Sequence, residues 1–329
     1  MKLLCITDPL THTAGDATVA LYSRLAEDRR FEFCHLEVSR VASDPVIPVL
    51  RISASHSFQE FRELGNHPTE PARFTDFDLV FSRADKPYPA GFLPALIRQE
   101  NRVRFVARPS SVLECDVRAF YRHRAAHLLA PGLMTRSVPD ACAFIRATGT
   151  VVAKRNRSYG GKGVSRIRAE GDSWVLDGGA QDLHAHQHLE FLIERLFATD
   201  PEPFEFVRFL PNVKAGDKRV LVVEGQIYGA FLRVATDGGW INNMTHGGTA
   251  LAAEVTEEEA AAIAETCGIY HERGLYALGY DFLQDDSGRW ILSEINASGN
   301  IGGYGYLETV TGLPGFSRLL DWLLDLAAR

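Results

Sequence analysis

The stretch ALGYDFLQDDSGRWILSEIN, residues 277–296, constrains this chain more than any other. Two runs rich in aromatic and branched residues flank Asp285, Asp286, Ser287 and Gly288, a cluster that reads as the loop of a β-hairpin. With those residues as the loop, Gln284 pairs with Arg289 and Asp281 lies opposite Leu292. Side chains alternate along a strand, so Asp281, Leu292, Glu294 and Asn296 are predicted to share one face. Two carboxylates and an amide on a largely apolar sheet are costly to desolvate alone. Diagonal neighbours lie roughly 7–8 Å apart, which lets such oxygens converge on one or two Mg²⁺ ions. Ala277 and Gly279 leave space above that face. A solvated, outward face is the competing reading.

A second stretch, VVAKRNRSYGGKGVSRI at 151–167, sets lysines among glycines between two apolar runs. It lacks the spacer and Lys-Ser/Thr of a P-loop, and it lacks the G-x-G-x-x-G that opens a dinucleotide-binding helix. Alone it fits a tight hairpin whose glycines supply positive φ. Between the two stretches come PNVKAGDKRVLVVEG, with Asp217, Lys218 and Arg219, and FLRVATDGGWINNMTHGGTA, with Arg233 and Asn243. Arginines stabilise phosphoryl oxygens, and Mg²⁺ neutralises charge on nucleotide phosphates. Taken together, these features describe a nucleotide held between a glycine-rich flap and a metal-bearing sheet.

The remainder organises around that pair. Apolar runs at 2–7, 31–38, 77–83 and 102–110, with a helix from about 18 to 27, predict an open α/β layer. Asp8, Arg83 and Asp85 sit at or just past strand ends, where such sheets gather ligands. Three strands follow in FEFVRFLP, KRVLVVEG and QIYGAFLRV, then a helix with a capping box of Thr256 and Glu259. The leucine and aromatic stripe of LPGFSRLLDWLLDLAAR reads as core or subunit interface, making a homodimer or homotetramer the expected assembly. His184, His186 and His188 read as a solvated polar stretch. The expected fold class is α/β, becoming α+β in the C-terminal part, with units at 1–119, 120–199 and 200–329.

Bulk properties exclude several function classes. The 329 residues hold 35 Lys+Arg against 42 Asp+Glu, so the net charge is 35 − 42 = −7, which argues against a nucleic-acid partner. Five cysteines without CxxC spacing suggest reduced thiols and a cytoplasmic location. No apolar run approaches the ~18 residues of a membrane span.

On these residues the chain resembles the ATP-grasp carboxylate–amine ligases, most closely the prokaryotic glutathione synthetases. The resemblance runs through ITDPL, GDAT, FSRADKPYP, ARPSSVLECDVRAF, the flap, FLPNVKAGDKRVLVVEG, the Asn-x-x-x-Gly-Gly stretch, and Asp281 with Glu294-Ile295-Asn296. It implies an ATP-grasp fold behind an N-terminal open α/β domain. It implies ATP and two Mg²⁺ ions, for which Mn²⁺ can substitute, with Asp281, Glu294 and Asn296 as metal ligands. Lys154 and the amides around Gly160, Gly161 and Gly163 would hold phosphates, with Arg118 and Asp217 also on the nucleotide. The strand carrying Glu205, Phe206, Val207 and Arg208 would form the adenine hinge. Arg219 and Arg233 would stabilise developing charge, helped by Asn243. Asp8, Arg83, Asp85, Ser298 and Asn300 would face small-molecule carboxylate and amine substrates. The implied chemistry is an acyl phosphate captured by an amine, releasing phosphate.

The chain departs from that family at three places. Arg118 stands where the family has a lysine, Ile241 where its mobile loop has an arginine, and ASGNIGGYGYLE follows the Glu-x-Asn trio in place of a Ser/Thr-Pro-Thr stretch. These departures point to an amino acid or small peptide other than those that make glutathione. Glutathione synthesis itself, a small-molecule kinase of the same fold, and an inactive nucleotide-binding regulator are the alternatives.

Overall fold

The computed structural model describes residues 1–41, 44–53, 56–158, 160–161, 163–178, 181–235, 240, 242, 248–298 and 303–329. Lys162, Ile241, Asn243 and Asn300 lie outside the described residues.

The N-terminal sheet contains β1 (Lys2–Thr7), β2 (Glu32–Glu37), β3 (Val46–Ile52), β4 (Glu70–Arg73), β5 (Leu79–Ser82) and β6 (Arg104–Phe105), in spatial order β4-β3-β2-β1-β5-β6. β1 runs parallel to β2 and β5, and β5 to β6, while β3 and β4 add antiparallel at one edge. Leu3, Leu4, Cys5 and Ile6 are fully buried, as a parallel strand covered on both faces requires. Pro48 and Pro71 hide β3 and β4 from a sequence reading, and both lie where proline is tolerated, toward the sheet edge. The run expected at 102–110 shortens to β6, because Pro109 opens the helix Pro109–Cys115.

The middle sheet contains β7 (Gly132–Thr135), β8 (Val151–Arg155), β9 (Val164–Glu170), β10 (Ser173–Gly178), β11 (Gln181–His186) and β12 (Phe204–Arg208). Its order is β11-β10-β9-β8-β12-β7, antiparallel throughout. Helices Val138–Thr148 and Leu189–Phe197 cover one face, burying Ile145, Leu192 and Ile193 against Phe206. The hairpin predicted at 151–167 is the β8–β9 pair. Gly160 and Gly161 turn it with φ of 61° and 76°, and a Cβ at Gly163 would stand 2.5 Å from that of Ser158. The histidine stretch ends the edge strand β11, with His188 exposed. Among the described residues no three His, Cys, Asp or Glu side chains form a metal cluster.

The third sheet contains β13 (Asp217–Val223), β14 (Gln226–Val234), β15 (Thr249–Ala253), β16 (Ala277–Gln284) and β17 (Trp290–Asn296), ordered β15-β14-β13-β16-β17 and wholly antiparallel. Val220, Val222, Tyr280 and Phe282 pack toward the helix Glu257–His271. Leu221, Val223 and Phe231 instead share a core with the N-terminal sheet and the helix Gly315–Ala328, whose Leu319 and Leu323 are fully buried. The apolar stripe of that last helix is therefore core.

The helix Glu257–His271 starts at the predicted capping box: Thr256 and Glu259 bond each other's backbone amides. Glu259 also pairs with Lys218 Nζ at 2.9 Å, which turns Lys218 away from the face carrying Arg219. Thr256→Ala removes the cap and should lower unfolding free energy by about 1 kcal/mol in urea titrations. A change below a few tenths would show the box to be idle.

The predicted register of the β16–β17 hairpin needs correction. Gln284 pairs with Trp290, because Asp285 Oδ1 accepts from the backbone amides of Ser287 and Arg289 and widens the loop by one residue. A bulge between Asp281 and Phe282 adds a second residue, so Asp281 lies directly opposite Glu294 and Leu292 opposite Phe282.

Candidate active site

The third sheet carries a row of charges on the face shared by Asp217, Arg219 and Leu221. In register, Arg233 lies opposite Asp217, Arg219 opposite Asp281, and Asp281 opposite Glu294. Arg219 forks onto Asp281, Nε to Oδ1 and Nη2 to Oδ2, the latter at 2.9 Å. Arg233 Nη2 donates to Asp217 Oδ2 at 2.7 Å and reaches Asp281 Oδ1 at 3.0 Å. Asn296 Nδ2 donates to Asp281 Oδ2 and to the Gly279 carbonyl, both at 3.2 Å, which leaves its amide oxygen as an available donor to a metal. Arg118 closes the row from the helix Arg118–Arg124, pairing with Glu294 at 3.0 Å and donating to the Arg155 carbonyl at 2.9 Å.

Burial and charge act in opposition on these carboxyls. Burial pushes the Asp281 carboxyl up, but the Arg219 and Arg233 guanidiniums reverse this and hold it down at about 2. Burial raises the neighbouring Asp217 above the usual carboxylate range, since only Arg233 counters it closely and Asp281 repels it. Asp217 Oδ1 is buried without a hydrogen-bond partner among the described residues. Lys154 on β8 makes no ion pair or hydrogen bond among the described residues, and burial lowers its pKa, partly offset by Glu205.

A cavity lies between the third sheet and the middle one. Val152 and Val207 line it from the middle sheet, Leu283 and Leu292 from the third. Arg118, Lys154, Asp281 and Glu294 also line it, so an apolar slot adjoins a charged end. Of the remaining residues expected on a nucleotide, Gly161, Arg208 and Asp217 reach the cavity. Gly160 and Gly163 belong to the hairpin turn above it. Phe206 points the opposite way into the core between sheet and helices, and Glu205 is fully buried behind the cavity wall.

The residues expected to face substrates gather at the ends of β1 and β5. Thr7 donates to the Arg83 carbonyl at 3.0 Å, and Arg83 Nη2 donates to Thr18 at 3.4 Å. Asp8 caps a short turn through the Leu10 amide, and Asp85 accepts from Thr11 at 3.2 Å. The loop after β5 reaches the end of β17 at two points. Lys86 pairs with Asp116 at 2.6 Å, whose other oxygen accepts from the Ala297 amide at 3.2 Å. The Tyr88 hydroxyl bonds Ser298, and burial pushes that phenol's pKa up.

Several functional candidates escaped the sequence reading. Arg122 lines the cavity and binds Glu205; its signal was the i, i+4 spacing from Arg118 on one helix. Trp240 packs so closely on the middle sheet that a Cβ added at Gly178 would stand 2.5 Å from its ring, and Asn242 donates to the Val213 carbonyl at 2.6 Å. The contacts of Lys86, Tyr88 and Asp116 are between distant segments and leave no local pattern.

An antiparallel sheet bearing carboxylates beneath a glycine-turned hairpin sheet, with a cavity between them, is the architecture of an ATP-grasp fold. The profile described as "Prokaryotic glutathione synthetase, ATP-grasp domain" matches residues 119–302. The glutathione synthetase of Rhodopseudomonas palustris is 31% identical over 312 residues, covering 92% of this chain and 91% of that protein. Among solved structures, a D-cycloserine synthetase has a TM-score of 0.68 at 13% identity, covering 98% of this chain and all of the other. A RiPP-associated ATP-grasp ligase of Chryseobacterium gregarium, in complex with ADP and a leader and core peptide, has a TM-score of 0.62 at 15% identity, covering 98% and 96%. The chain belongs to the prokaryotic glutathione synthetase family of ATP-grasp proteins, and it is an ATP-dependent ligase forming carbon–nitrogen bonds. No helix among the described residues is long and apolar enough to cross a membrane.

Proposed function

We propose that this ligase joins the carboxylate of one small substrate to the amine of another, an amino acid or short peptide, through an acyl phosphate. The supporting observation is the convergence of Asp281, Glu294, Arg118 and Lys154 at one end of an apolar slot. The slot suits a base, and the charged end suits a triphosphate. One substrate carboxylate oxygen attacks the γ-phosphorus and ADP leaves; the amine then attacks the acyl carbon and phosphate leaves.

The donor set fits Mg²⁺. Asp281, Glu294 and Asn296 offer only oxygen, and Mg²⁺ takes one or two carboxylates plus phosphates and water in preference to an all-protein cage. Bound there, the metal would neutralise phosphate charge. Arg219 and Arg233 stay charged and can move from carboxylate to phosphoryl oxygen as charge develops. The acceptor is set by the region where Tyr88 meets Ser298, whose sequence is unlike that of a glutathione maker. No enzyme nucleophile is invoked.

ADP release measured across carboxylates, with and without amines, tests this. Release that needs both substrates is the expected result. A stable phosphorylated product without an amine would replace the proposal with a kinase.

A further inference from the structure

We infer that Asn156, the first residue past β8, is a positioning residue: it clamps the root of the glycine-turned hairpin to the helix Arg118–Arg124 and so aims the Arg118 guanidinium into the charged end of the cavity. This goes beyond the proposed function and rests on that end receiving a nucleotide's phosphates.

The first amides of a helix have no partner within it. Val117, at the cap position of this helix, has no side-chain oxygen to offer them and makes no cap bond. Asn156 provides both acceptors from a distant strand end. Its carbonyl takes the Arg118 amide at 3.2 Å, and its Oδ1 takes the Ala119 amide at 3.0 Å, across 37 residues. The cap thus comes from the hairpin and not from the chain leading into the helix.

The Asn156 side chain is buried, and its orientation is fixed at both ends. Nδ2 donates to Glu202 Oε2 at 2.6 Å, so turning the amide over would set its oxygen against a carboxylate and its NH₂ against an N–H. Glu202 is held in turn: its Oε1 accepts from Arg157 Nε at 2.7 Å, and Arg157 Nη1 donates to the Leu113 carbonyl at 2.9 Å. The Arg118 side chain meets the same strand end, donating from Nε to the Arg155 carbonyl at 2.9 Å. Its Nη1 reaches the Tyr121 hydroxyl at 3.1 Å and Glu294 at 3.0 Å. Two consecutive residues at the hairpin's root therefore fix Arg118, one by its guanidinium and one by its backbone. Arg118 is itself buried, and it shares the cavity wall with Lys154 and Glu294. A shift in the first turn of its helix moves the guanidinium relative to both, and charged groups lose much of their effect when displaced by about 1 Å.

Asn156→Ala removes the acceptor for the Ala119 amide and the donor to Glu202, and leaves both backbone carbonyls in place. Binding of Mg·ADP and of adenosine to the full chain is measured by calorimetry. ADP affinity should fall by about 10-fold, while adenosine, which brings no phosphate to Arg118, should change by less than about 2-fold. Unchanged ADP affinity, or equal losses for the two ligands, overturns the inference. In an Arg118→Met background, adding Asn156→Ala should leave ADP affinity within about 2-fold, because the effect passes through Arg118; a further loss of about 10-fold there would make the role of Asn156 general to the fold. Asn156→Asp alone sets two carboxylates together and should also weaken ADP. Combined with Glu202→Gln, the new carboxylate accepts from both the Ala119 amide and the new amide at position 202. That pair should restore ADP affinity to within about 2-fold of wild type, and failure to restore it overturns the clamp. Each of these failures leaves the nucleotide site standing, whereas failure of ADP to bind the wild type overturns the site and the inference together.

Discussion

Glu294→Gln should reduce ADP release by about 10²–10³-fold or more while leaving the fold intact, because it removes one of two carboxylates available to a metal. Gln keeps the shape and a carbonyl oxygen, so the Arg118 contact survives as an ordinary hydrogen bond. Arg118 also keeps its bonds to the Arg155 carbonyl and the Tyr121 hydroxyl. Thermal unfolding should therefore move by only a few degrees. Divalent ion binding in the presence of a nonhydrolysable nucleotide should weaken in parallel with turnover. Unchanged turnover would remove Glu294 from the metal site, and a collapse of thermal stability would make its role structural.

The second large effect concerns Asp281→Asn, which should cost about 3–5 kcal/mol of stability at neutral pH besides turnover. Asp281 answers Arg219 and Arg233 at once, and removing one partner of buried ion pairs leaves charge uncompensated. The effect has a pH signature. Its folded carboxyl is held down at about 2, below the ordinary aspartate value of about 3.9. A lowered folded value means stability that is fully present above ~4 and lost as pH falls toward 2. The gap between wild type and Asp281→Asn in urea titrations should thus be widest at neutral pH and close between about pH 4 and 2. Asp217 runs the other way, since its raised value destabilises when ionised, and the variant also removes the Asp281 charge that repels it. A gap that stays constant through that window would show that the arginines do not hold Asp281.

The face of the third sheet was legible in the sequence for an instructive reason. The hairpin register misses twice, once in the loop that Asp285 widens and once at the bulge beside Asp281. Each error is one residue, and their sum is one full pleat, so Asp281, Glu294 and Asn296 keep the same face. One error alone would have turned Glu294 and Asn296 into the core. The capping box and the flap glycines were readable because both are local: Thr256 meets Glu259 three residues on, and Gly160 and Gly161 need only their own φ. The Arg122–Glu205 pair and the contact of Tyr88 with Ser298 were not, because they join residues 83 and about 210 positions apart. Spacing rules carry no information about such pairs.

The helix Gly315–Ala328 has a consequence for how this chain is made. Its Leu319 and Leu323 fill the same core as Leu3 and Cys5, and Arg30 bonds Asp321 across 291 residues. Strand β1 thus waits for a helix made far later in the chain before its apolar face is fully covered. Contacts of such span slow folding, and open apolar surface invites aggregation meanwhile. The N-terminal sheet is therefore sealed only after the helix Gly315–Ala328 has been made.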